Sequence, residues 1–106
     1  MIDPYIYLSN IADDLWDLHQ QTTGKASDQA ESMYNALEDV YLEPFRRKQV
    51  QSNTQLYAQL TQKLQGDITS IDGRIKRING IEDTVQRVAQ YAQVFDQIIA
   101  IAAKLA

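Results

Sequence analysis

The chain has one histidine, His19, at the end of its most acidic stretch, DDLWDLH, with Asp13, Asp14 and Asp17 just upstream. An imidazole among carboxylates is the donor set of a metal site, provided that three or four of the groups converge. On a helix they do not. Asp13 and Asp17 share a face at i,i+4 spacing, while His19 points to a different side from Asp14. The Glu-x-x-His pairs of di-metal bundles are also absent. The stretch reads as a solvated acidic face, and no metal or cofactor is expected.

The remaining reactive groups fare no better. Asp28, Glu31, Glu38, Asp39 and Glu43 offer carboxylates for acid–base work, yet nothing in their spacing separates them from the polar side of an amphipathic helix. No serine stands in a nucleophile context, and the glycines do not form a phosphate loop behind a strand. With no cysteine there are no thiolate ligands, thiol nucleophiles or disulfides. Enzymatic chemistry is not expected. Two basic clusters, Arg46-Arg47-Lys48 and Arg74-x-Lys76-Arg77, raise the question of nucleic acid, but a pI near 4.7 opposes a strong phosphate footprint.

What survives this sifting is recognition. Trp16 falls beside the apolar stripe that contains its helix's leucines, as does Ile6, and both share that helix with Asp13, Asp14 and Asp17. An aromatic off the core side of an acidic helix has the composition of an interface anchor, although cover by the long third helix would hide it. The charge pattern agrees with recognition. Residues 1–43 carry nine acidic groups against Lys25 alone, whereas residues 44–106 carry five acidic and nine basic groups. Either the two halves offset each other on folding or an acidic surface is left for a basic partner. The partner-binding set is therefore Ile6, Asp13, Asp14, Trp16 and Asp17.

The elements that must position these residues are helices throughout. Asp3 and Pro4 open the first, and Tyr5, Leu8, Ile11, Ala12, Leu15 and Leu18 give its stripe. The second is expected to open at Asp28, with Glu31 completing a capping box, and to bury Ala30, Met33, Tyr34, Leu37, Val40 and Tyr41. Pro44 ends it and starts a third. From there a column repeats every seven residues: Val50, Tyr57, Leu64, Ile71, Ile78, Val85, Ala92 and Ile99.

Glycines also recur at sevens, at 66, 73 and 80, about 200° round the helix from that column. They are either a small-residue strip on which another helix packs or weak helix that breaks at one of them. Gly80 is the best break, because Arg74, Lys76 and Arg77 precede it and Glu82 and Asp83 follow, as the helix dipole favours at an end and a restart. The expected helices are 3–20, 28–43, 45–78 and 81–105 within one domain, 1–106. The fold class is all-α: a small antiparallel bundle of three or four helices with a long C-terminal hairpin and the third helix as its spine. The competing arrangement is one rod through Gly80, which could bury its stripe only in a coiled-coil oligomer.

The functional expectation is a non-enzymatic, acidic helical module that binds another protein with a basic surface, as an inhibitor, immunity, adaptor or assembly-subunit protein. The alternatives are a homo-oligomeric coiled-coil structural protein joined through its C-terminal helices and, far behind, a small metal-dependent enzyme. No signal peptide or membrane-spanning run is read in the sequence, so a cytoplasmic place is expected. Membrane-surface binding is not expected either, because the apolar last helix lacks a lysine-rich face.

Overall fold

Asp3 and Pro4 begin the first helix as the sequence predicts. In the computed structural model, which describes residues 2–42 and 54–105, α1 runs Pro4–Gln21. The Asp3 carboxylate accepts from the Tyr5 and Ile6 N–H groups at 2.9 and 3.2 Å, satisfying two donors that a helix start leaves free. Leu8, Ile11, Ala12, Leu15 and Leu18 are buried, so the expected stripe faces the core.

α1 ends in a two-residue reversal. The Thr22 hydroxyl donates to the Leu18 carbonyl (2.6 Å), and Gly24, at φ +62°, takes the left-handed turn that a side chain resists. α2 then runs Gly24–Leu37, starting a full turn before the expected Asp28. Asp28 lies inside the helix and caps nothing, and Glu31 turns instead to His19 across the hairpin. The first turn is held from outside: the Ser27 hydroxyl donates to the His19 carbonyl at 2.8 Å, which outweighs a local sequence, Gly-Lys-Ala-Ser, with little helix-start signal. Beyond Leu37 the backbone widens into a π-helical turn, Glu38–Leu42. Pro44, the expected start at 45, the Arg46-Arg47-Lys48 cluster and Val50 fall outside the described residues.

α3 covers Thr54–Asn79 and α4 covers Thr84–Leu105, so the chain does break at Gly80 and the C-terminal hairpin forms. The break differs in detail from expectation. Gly80 does not use positive φ; its N–H still reaches back to the Lys76 and Arg77 carbonyls, and Ile81 N–H donates to Ile78. The restart comes at Thr84 rather than 81, because Asp83 Oδ1 caps the Val85 and Gln86 N–H groups at 2.9 and 3.2 Å.

Gly66 and Gly73 stay within α3, and a Cβ on either would meet nothing within 4 Å. The small-residue strip thus faces solvent, and no helix is packed on it. The seven-residue column also changes role at the break: Leu64, Ile71 and Ile78 are buried, whereas Val85 is 56 % exposed.

α1 and α3 run the same way, since Ile2 N–H meets the Gln65 side chain and Tyr7 meets Asp72 further along. α2 returns along α1, and α4 returns along α3, with Lys104 on Asp67. One apolar cluster joins all four helices. The expected spine, α3, packs on α4 and more lightly on α1, whereas α1 and α4 each touch all three of the other helices. The buried side of α4 runs from Val88, Tyr91 and Val94 through Ile98, Ile101 and Leu105. That broad apolar stripe, with the stripe of α1, forms the centre of the bundle.

Candidate functional site

The core stripe of α1 leaves three strips outside, and the five residues singled out in the sequence divide among them. Ile6, Asp13 and Asp17 lie on the outer strip, all exposed, Ile6 to 55 %. Asp14 lies on the flank toward α3 and α4. Trp16 lies on the flank toward α2.

Asp14 is a structural residue. Its carboxylate takes a 2.8 Å ion pair from Arg87 and a hydrogen bond from the Tyr91 hydroxyl (2.5 Å), and both carboxylate and guanidinium are mostly covered. It therefore separates from Asp13 and Asp17 and does not share their exposure. Tyr91 is held firmly protonated, chiefly because it is buried and also because it donates to Asp14. The same device recurs along the α1–α3 seam. Tyr7 donates to Asp72 at 3.0 Å and Tyr57 donates to Asp3, and each phenol's pKa is raised, first by burial and then by the carboxylate it faces. Asp72 also accepts from Lys76 at 3.0 Å, and that bond holds its pKa below the usual carboxylate value.

Tyr7, Asp14, Asp72, Lys76, Arg87 and Tyr91 line a cleft of about 500 Å³ between α1, α3 and α4, with Asn10, Asn79 and Ile75 on its walls. Its charges are matched in pairs, Asp14 with Arg87 and Asp72 with Lys76, and its phenol hydroxyls are taken up by carboxylates. One donor, Arg87 Nε, is buried without an acceptor among the described residues. It is closed off from solvent, so no ligand in the cleft could reach it without rearrangement. The cleft is a polar seam between helices.

Trp16 is 40 % exposed and rests against α2, not under α3: its ring centroid lies 5.0 Å from Tyr34 and 5.1 Å from His19. The ring is thus anchored on its own hairpin and partly exposed. His19 is held beneath it by Glu31 at 3.0 Å from Nε2 and by Ser27 Oγ at 2.8 Å from Nδ1. Serine, histidine and glutamate within hydrogen-bonding reach have the outline of a hydrolytic triad. Here the serine proton goes to the His19 carbonyl and the trio ties the ends of two helices together. The tight turn is the signal that would have found this cluster: residues 19 and 27 stand nearly equidistant from its centre and must face each other.

No group of three or more possible metal ligands occurs among the described residues. Nor is any described helix long and apolar enough to cross a membrane. No protein family matches this chain, and no curated protein or solved structure is detectably similar to it. Any functional reading therefore rests on the surface itself.

That surface keeps the polarity of the sequence. Among the described residues a single ion pair, Asp14–Arg87, joins the acidic N-terminal half to the basic C-terminal half. Asp13, Asp17, Asp28 and Asp39 are exposed and form no ion pair with a described residue, and on the other side neither do Lys63, Arg74 and Arg77.

Proposed function

We propose that the chain is a non-enzymatic docking module whose outer α1 strip receives a basic, partly apolar surface of another protein, in the manner of an inhibitor, immunity, adaptor or assembly-subunit protein. One observation carries this reading. Asp13 and Asp17, two carboxylates with no ion pair to a described residue, lie one helical turn apart on a strip shared with the exposed Ile6 and bordered by the half-open Trp16, on a helix whose third aspartate is engaged inside the fold. Apolar anchors with a charged rim are the composition of a recognition patch, the anchors supplying affinity and the charges approach and selectivity.

Trp16 is the chain's one tryptophan and borders this strip, so its emission reports on events there. Titration with a lysine- and leucine-rich amphipathic peptide is expected to shift that emission to saturation. The shift should weaken with salt and vanish in Asp13→Lys/Asp17→Lys. An unchanged spectrum at saturating peptide, or an equal response in the charge-reversed variant, would remove the reading.

A further inference from the structure

A complement to the α1 strip lies on the same molecule. A groove of about 220 Å³ between the end of α3 and the start of α4 is lined by Arg74, Arg77, Ile78, Ile81, Gln90 and Val94. Its composition is the inverse of the α1 strip: two guanidinium groups over an aliphatic floor. Neither arginine has an acidic partner among the described residues, whereas Lys76, Arg87 and Lys104 each have one. Arg77 Nε–H donates to the Gly73 carbonyl on its own helix (3.3 Å), which orients the side chain and leaves its outer nitrogens uncommitted. Resting on the docking role proposed above for α1, we infer that the partner of that strip is a second copy of this chain, seated head to tail with its α1 on the Arg74–Arg77 groove.

Geometry and charge support this occupant. Asp13 and Asp17 are separated by about 6 Å of helix rise and Arg74 and Arg77 by about 4.5 Å, so two carboxylate–guanidinium pairs can form together when the helices lie alongside. Guanidinium is the cation suited to bidentate carboxylate binding and to stacking on an indole, and Trp16, 40 % exposed, stands beside Asp13 and Asp17 in the chain. Ile6 on one copy and Ile81 on the other, which is partly exposed above the buried Ile78 and Val94, give the contact a small apolar centre. Because the two patches differ, the contact is heterologous and propagates into a ring or an open chain instead of closing as a two-fold dimer. It leaves the described fold of each copy untouched, since none of the four charged groups is paired with another charge among the described residues.

Sedimentation velocity across a protein concentration series tests the inference. The unaltered chain is expected to show concentration-dependent species heavier than monomer that dissociate at high salt. Asp13→Lys/Asp17→Lys and Arg74→Glu/Arg77→Glu should each sediment as monomers, with association weakened by roughly tenfold or more. An equimolar mixture of the two should associate again, because each then offers what the other lacks; that rescue also shows that both variants fold. A monomer at every concentration, charge-reversed variants that still associate, or a mixture without rescue would each overturn the inference. The peptide titration of Trp16 separates the two claims. If the chain is a monomer yet the peptide response depends on Asp13 and Asp17, self-docking falls and the α1 docking strip stands; if both fail, neither survives.

Discussion

Tyr7, Tyr57 and Tyr91 each place a hydroxyl against a carboxylate at a helix seam, so the phenol must remain protonated for the seam to hold. Their pKa values in the folded chain lie above the ordinary 10.0, with burial the largest cause. Groups with raised values stabilise the fold fully below the unfolded value and lose that contribution as pH climbs toward the folded one. The contribution of these phenols should therefore be constant up to about pH 10 and decline above it. Tyrosinate absorbance should include a late component that coincides with loss of helical circular dichroism. The absence of any such late component would contradict the seam. Asp14 gives a second test at this scale. Replacing it with asparagine removes the charge facing Arg87 in a mostly covered position and should cost about 2 kcal/mol in urea unfolding, whereas Asp13→Asn on the open strip should stay within about 0.5 kcal/mol. Spacing alone could not tell these two aspartates apart. Both belong to one acidic run, and only the neighbouring helices decide which is enclosed.

At the scale of elements, the helices that carry their own signals were legible in the sequence. α1 has a capping aspartate, a proline and a clean stripe, and the break after α3 has cations, a glycine and a following aspartate; all of these act locally. The start of α2 was not legible, because Ser27 and His19 hold it across a turn and periodicity contains no information about contacts between elements. The glycine question is likewise settled by surroundings. Gly66 and Gly73 open onto empty space in regular helix, so alanine at either removes backbone entropy from the unfolded chain and meets no obstacle. Each replacement should stabilise the fold by about 0.8–1 kcal/mol, and together they should nearly add. Gly24→Ala should instead destabilise by about 1 kcal/mol, because its φ of +62° is costly for any side chain. Chemical denaturation of the three variants checks the contrast. A stabilised Gly24→Ala, or a destabilised Gly66→Ala, would mean that the solvent side of α3 and the hairpin reversal have been assigned wrongly.

For the whole molecule, the decisive arrangement is that α4 touches every other helix while the recognition strip lies on the far side of α1. Ile98 is fully buried in the shared cluster, and Ile6 is open on the strip. Truncating a fully buried isoleucine to alanine removes apolar contact and leaves a cavity, a loss of about 2–5 kcal/mol, set against the total of about 5–15 kcal/mol usual for a domain. Ile98→Ala should thus lower the melting temperature by roughly ten degrees or more, since about 1 kcal/mol moves it by 4–8 °C in a chain near this size. Ile6→Ala should leave it nearly unchanged and weaken only the response of Trp16 to a basic peptide. This separation follows from the charge pattern as much as from packing. The fold joins its acidic and basic halves through one described ion pair and places its stability in the apolar cluster. Asp13, Asp17, Arg74 and Arg77, which form no ion pair with a described residue, can therefore be exchanged at little cost to the bundle. A steep fall in stability on altering Ile6, Asp13 and Asp17 together would show that this face supports the fold, and the surface would then have no separate role to assign.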